Sequence, residues 1–306
     1  MSRLGTPRLL ILAALVVGAA ILVWLMLPSR TAVKIPAGVS SANAGMAERG
    51  AYLVRAAGCV SCHWDRKNGG QPFAGGLAIR SPFGTFYSPN ITPDAETGIA
   101  RWSDEDFVRA VTQGEGVHGE ELYPALPYTS YSRMKVEDAL AIKAHLMTLA
   151  PVAAPQKPND VPFPFSWRAL IKGWKLLFFD GAAPLADDAA HDATWNRGRY
   201  LVIALGHCAE CHTPRNMFGA QIADQQFQGN PKGPGGGKVP ALVGVGAKDF
   251  DSWSVEEIAE YLKSGAKPDF DSAQGPMAEV IEDGTKHLTD QDRRAIALYL
   301  KALNGR

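Results

Sequence analysis

Cys59-Val60-Ser61-Cys62-His63 stands in the first half of the chain, and Cys208-Ala209-Glu210-Cys211-His212 repeats its spacing in the second. C-x-x-C-H is the spacing of covalent haem attachment. Two thiols about one helical turn apart can each add to one vinyl group of a porphyrin. The adjacent histidine is then held beneath the iron as its fifth ligand. A zinc site or a dithiol redox motif would draw on the same residue types. Two copies that use all 4 cysteines, in matching contexts, favour haem. The candidate attachment residues are therefore Cys59, Cys62, Cys208 and Cys211, with His63 and His212 as iron ligands. The expected cofactors are two covalently bound haem c groups, and no disulfide is expected. Bacterial attachment of this kind takes place outside the cytoplasm, so the part of the chain carrying the motifs is expected in the periplasm.

The bulk composition suits about two domains in 306 residues. Hydrophobic residues make up 46% and charged residues 20%, ordinary for a globular protein with an apolar anchor. Gly 31 and Pro 21 are together above the usual share, which favours loops wrapped around a bound group. Thirty-one basic residues balance 31 acidic ones, and four haem propionates would tip the balance acidic. That excludes nucleic acid as an expected partner.

Leu9 to Leu27 is an unbroken apolar run of 19 residues. At about 1.5 Å per residue it spans roughly 28 Å, close to the hydrocarbon thickness of a bilayer. Arg3 and Arg8 precede it, and Trp24 sits near its far end as an interfacial anchor would. Arg30 and Lys34 on the other side blur the charge asymmetry, so the haems decide the orientation. A cleaved signal peptide has a shorter apolar core, and the A-x-A triplet Ala42-Asn43-Ala44 lies far past the run. An uncleaved single-pass anchor in the bacterial inner membrane is the expectation, over residues 1–30. Residues 31–45 read as a tether.

The chain also aligns with itself. Arg49-Gly50-Ala51-Tyr52-Leu53-Val54 matches Arg197-Gly198-Arg199-Tyr200-Leu201-Val202, and a haem motif follows each. Trp102-Ser103-Asp104-Glu105-Asp106-Phe107 matches Trp253-Ser254-Val255-Glu256-Glu257-Ile258. Ala141 to Leu146 matches Ala295 to Leu300. Each repeat is helix, haem motif, loop, helix, loop, helix, which makes the fold all-α. Ser103 and Ser254 are N-caps with acids three positions on, and the preceding tryptophans can staple onto Phe107 and Ile258. The last helix is expected to start at Thr289, with Asp292 completing a capping box.

Both repeats resemble class I cytochrome c domains in tandem, over 46–150 and 193–306. The stretch Pro82 to Asp94, followed by Leu122-Tyr123-Pro124-Ala125-Leu126-Pro127-Tyr128, is more specific. It resembles the cytochrome subunits of membrane-bound alcohol, sugar-acid and aldehyde dehydrogenases. Those subunits usually carry three haems, so this chain, with two motifs, is similar to the wider family. The resemblance implies electron transfer from a periplasmic dehydrogenase subunit to quinone or another respiratory carrier, with no substrate chemistry in this chain.

A class I domain implies a methionine opposite the histidine, from a loop before the last helix. In repeat two that is Met277, in Gln274-Gly275-Pro276-Met277, 24 positions after Trp253. The same count from Trp102 reaches Leu126, which cannot ligate iron, although related subunits often carry methionine there. Three readings are open for the first haem: ligation by Met134, ligation by His118, or a five-coordinate iron. His145 reads as a packing residue, and His191 and His287 as solvated.

Residues 151–192 form the linker. It opens with five prolines from Pro151 to Pro164 and continues into an aromatic-rich helix over 165–179. Trp167, Leu170, Ile171, Trp174, Leu177 and Phe178 recur at three- and four-residue steps. Packing across both haem domains is expected, with the membrane surface as the other placement. The run Gly229 to Gly237 reads as a surface loop. Leu126 motivates the competing class, a haem enzyme or gas-binding protein built on a five-coordinate first haem. The diheme subunit of a terminal oxidase is a close variant of the electron-transfer reading.

Overall fold

The computed structural model describes residues 6–181 and 183–304, so Arg3 of the basic flank lies outside the described residues. Helix α1 (Thr6–Met26) carries the apolar run. It is long and apolar enough to cross a membrane, and none of Leu9–Met26 is buried against the rest of the chain. The first repeat follows as α2 (Met46–Ala56), α3 (Cys59–Cys62), strands β1 (Ala78–Ser81) and β2 (Gly84–Tyr87), α4 (Asp104–Gln113), α5 (Tyr128–Tyr131) and α6 (Val136–Leu146). Helix α7 (Ala169–Phe178) belongs to the linker. The second repeat comprises α8 (Ala193–Tyr200), α9 (Ala209–His212), α10 (Lys248–Ser252), α11 (Val255–Ser264), α12 (Gly275–Asp283) and α13 (Asp290–Asn304).

The first and last helices of each repeat cross in contact, and the shared Arg-Gly pair explains how. A Cβ on Gly50 would stand 1.8 Å from the Ala141 carbonyl oxygen, and one on Gly198 would stand 2.0 Å from that of Ala295. Only glycine lets these backbones approach so closely. His145 meets Gly50 at the same crossing, the packing role expected of it. The crossings bury Leu53, Val54, Leu140 and Ile142 in one repeat and Ile296, Ala297 and Leu300 in the other. Ser103 and Ser254 each close a full capping box, with Asp106 and Glu257. At the last helix only half of the expected box forms. Thr289 Oγ1 accepts from the Asp292 amide at 3.1 Å, but the Asp292 carboxylate turns to Arg197 and Tyr52.

The fold is mostly helical rather than all-α. β1 and β2 form an antiparallel hairpin, pairing Ala78 with Tyr87 and Ser81 with Gly84. Thr85, Phe86 and Tyr87 suit a pleated, half-buried surface, and Pro82-Phe83 makes the turn. The proline-rich connector is tied to that hairpin. Thr85 and Asp160 exchange both backbone hydrogen bonds, at 2.8 and 2.9 Å.

The segment expected as a tether is pinned to the first repeat. Thr31 donates from its amide and hydroxyl to Glu115, at 2.7 and 2.6 Å. Ser40 and Ser41 bond Asp104, and Val33, Ile35 and Val39 pack on the core. Three spaced apolar residues give no helical or strand period, so composition alone read as a loose strap. His191, expected in solvent, stacks on Trp195 at 3.7 Å between ring centroids.

Candidate haem sites

Both C-x-x-C-H motifs open onto one continuous cavity of about 1980 Å³. That is about twice the upper end for a single small-molecule pocket, near 1,000 Å³. All eight expected site residues line it: Cys59, Cys62, His63, Cys208, Cys211, His212, Met134 and Met277. No disulfide joins the four cysteines. Burial pushes Cys59 and Cys208 up to about 12, and Cys211, with Glu210 and Cys62 adding, to about 11. Dithiol exchange needs an accessible thiolate. No cluster of three or more His, Cys, Asp or Glu side chains able to hold a metal ion exists among the described residues.

The histidines are set up as iron ligands. His63 Nδ1 donates to the Pro89 carbonyl at 2.7 Å, and His212 Nδ1 to that of Pro240 at 2.8 Å. A carbonyl only accepts, so Nδ1 carries the proton and Nε2 keeps its lone pair. Burial lowers both imidazole pKa values despite those bonds, which keeps the rings neutral. A second partner that fixes tautomer and ring plane is the usual support of a ligating histidine. Sequence reasoning did not find Pro89 and Pro240. The signal available was a proline at the close of each loop facing a motif.

The distal side separates the candidates. Met134 is 2% exposed and lies in the cavity wall just before α6. Met277 also borders the cavity, on α12 rather than in a loop. Gly275-Pro276 is the helix start, with proline in the first turn where its missing N–H costs nothing. Leu126 lines the cavity and offers no ligand atom. His118 is exposed, does not border the cavity, and donates its amide to Glu120. The glycine-rich run is more than surface loop, since Asn230, Gly233 and Gly237 form part of the wall.

Three residues that sequence reasoning left unassigned join the two motifs. The Tyr131 hydroxyl donates to the Ala57 carbonyl, two residues before Cys59, at 2.5 Å. Its ring meets His207, the residue before Cys208, edge-on at 5.5 Å. Glu210, inside the second motif, accepts from Thr129 and Ser130 of the first repeat at 2.8 and 3.0 Å and pairs with Arg215. Burial acts to raise the Glu210 pKa, but Arg215 and Thr129 outweigh it and hold the carboxyl below its ordinary value. His207 has φ +39°, in the left-handed region, where the repeat alignment places Gly58 with φ +64°. A non-glycine residue opposite that glycine was the available signal.

The Cytochrome c family model matches residues 47–150 and 196–304, one match per repeat. The chain is 40% identical over 293 residues to a diheme cytochrome c-type protein of Cereibacter sphaeroides, covering 95% of both. It is 40% identical to the gluconate 2-dehydrogenase cytochrome c subunit of Pantoea cypripedii, over 87% of this chain and 61% of that subunit. It is 41% identical to the fructose dehydrogenase cytochrome subunit of Gluconobacter japonicus, over 86% of this chain and 54% of that one. The chain thus spans little more than half the length of those two dehydrogenase subunits. A histidine whose Nδ1 is taken by a carbonyl follows each paired thiol motif in the wall of one apolar cavity, in agreement with the family match in both halves: the chain belongs to the cytochrome c family and carries two covalently bound haem c groups.

Proposed function

We propose that this chain is a diheme electron-transfer subunit, held by α1 in the bacterial inner membrane with its haem domains in the periplasm. It takes electrons from a dehydrogenase catalytic subunit and passes them to quinone or another respiratory carrier. The observation that carries this reading is the shared cavity, because both attachment motifs open into one apolar space joined by Tyr131, His207 and Glu210. Bound haem supplies one-electron chemistry at iron. His63 and His212 would hold the iron atoms through their Nε2 nitrogens, and the chain would supply the apolar walls and the spacing of the two groups. Relatives named as cytochrome subunits of gluconate and fructose dehydrogenases support the partner class.

Met277 is the proposed sixth ligand in repeat two and Met134 in repeat one. Thioether ligation favours Fe(II) and raises the potential. Support for Met134 comes from its place in the wall, where Leu126 and His118 offer nothing. A peroxidase-type site would need free acid–base groups above the first iron. Of the two acids nearby in sequence, Glu121 is tied to Ser29 and Lys175, and Glu120, in the cavity wall, accepts from the His118 amide.

Affinity capture of the tagged holoprotein from native membranes tests the partner. A large dehydrogenase subunit is the expected co-purifying chain. Recovery of terminal oxidase subunits in its place would move the chain to the oxidase variant.

A further inference from the structure

Helix α7 leaves an apolar outer face without a protein partner. Leu176 of α7 and Met217 of the second repeat are 74% and 83% exposed, and neither borders the haem cavity. Trp174 and Phe178 join the two pieces. Trp174 Nε1 donates to the Phe218 carbonyl at 3.0 Å, and Phe178 stacks on the Phe218 ring at 5.8 Å.

The same helix is fastened to the foot of α1. Lys172 Nζ donates to the carbonyls of Trp24 and Leu27, at 3.0 and 3.2 Å, and sits 4.6 Å from the Trp24 ring centroid. Those carbonyls are among the last of the apolar helix, where backbone partners run out; the Trp24 carbonyl also accepts from the Leu27 amide at 3.3 Å. Lys172 and Leu176, four residues apart, share one face of α7. The exposed leucine therefore sits on the side of α7 that meets the end of the anchor.

The joint is also fixed in orientation. Glu121, 6% exposed, accepts from Ser29 just after α1 and pairs with Lys175 of α7, while its backbone carbonyl accepts from Arg168 at 2.7 Å. One buried carboxylate thus ties anchor, linker helix and first haem domain together. A loose tether would let this face point anywhere, and this joint does not.

We propose that the outer face of α7, with the Met217-Phe218 turn, lies at the boundary between headgroups and acyl chains of the same bilayer that α1 crosses. This rests on the reading of α1 as a membrane anchor. The face behaves as an interfacial surface: apolar outward, with basic side chains at its edge and a tryptophan at the same level. Because Leu177, Trp174 and Phe178 also border the haem cavity, this placement brings one wall of the cavity to the lipid surface.

The test uses the full-length holoprotein in phosphatidylcholine nanodiscs containing a lipid with a diazirine on its acyl chain. After illumination, labelled peptides are mapped by mass spectrometry. Label is expected in α1, in the peptide holding Leu176 and Leu177, and in the peptide holding Met217 and Phe218. The double variant Leu176→Glu, Met217→Glu should keep both haem spectra and lose the label in the latter two peptides alone. Label confined to α1 would overturn the proposal and leave the anchor standing. Label in none of the three would overturn the anchor reading and the proposal with it.

Discussion

Tyr52 Oη donates to Asp292 Oδ2 at 2.5 Å, across the boundary between the two repeats. Tyr200 returns the contact, donating to Asp138 at 2.5 Å. Each tyrosine lies in the first helix of its own repeat, and each aspartate lies in the last helix of the other. Each aspartate already holds an arginine of its own repeat, Arg49 on Asp138 and Arg197 on Asp292. The repeats therefore dock by exchanging equivalent hydroxyls. Tyr52→Phe or Tyr200→Phe should each cost about 1.5 kcal/mol, typical of a hydrogen bond to a charged group. Denaturant titration of the holoprotein should show a lower midpoint for either variant, with both haems retained. Unchanged midpoints would mean the exchange adds nothing to stability.

The same contact sets an acid limit. Burial works to raise the Asp292 pKa, but the Arg197 and Tyr52 bonds outweigh it and leave the group below its ordinary value. A depressed carboxyl adds stability that is fully present above the unfolded value of about 3.9 and is lost as pH falls through the folded one. Unfolding midpoints should be flat near neutrality and fall below about pH 4. Asp292→Asn should be less stable at pH 7 and show less of that acid loss. A variant with the unaltered acid slope would remove Asp292 from the account.

Met277→Ala should alter one haem only. Loss of a thioether ligand lowers the potential of its iron. Redox titration should show one component shifted down and the other unmoved. An unaltered titration would exclude Met277 as the ligand.

Met134→Ala tests the first haem. With methionines on both irons, the reduced wild-type protein should bind little carbon monoxide. The variant should bind about one equivalent per chain, at the haem held by His63. Binding to one haem in the wild type, unchanged by the substitution, would show that Met134 only packs the wall and that the first iron is five-coordinate.

The features legible in sequence were those carried by short spacing. The C-x-x-C-H motifs and the serine caps sit within a few residues of their partners, and the internal repeat shows as a direct match of letters between the two halves. The Tyr52–Asp292 contact joins residues 240 positions apart and depends on how two finished domains dock, which no local pattern encodes. The β1–β2 hairpin is only four residues per strand and is flanked by proline and glycine, so it read as loop. Met277 stands on a helix because Pro276 opens one, although glycine-proline read as loop. The linker helix was expected across both haem domains, and it meets both: Lys175 pairs with Glu121, and Trp174 bonds the Phe218 carbonyl.

Substrate-driven quinone reduction in native membranes, with and without this chain, tests the central claim most directly. The assay runs beside one that gives the same membranes a soluble artificial acceptor. Sugars, sugar acids and alcohols are offered as substrates. The account predicts that deletion abolishes quinone reduction for one substrate, while dehydrogenation of that substrate with the artificial acceptor persists. Quinone reduction that survives deletion for every substrate would contradict it.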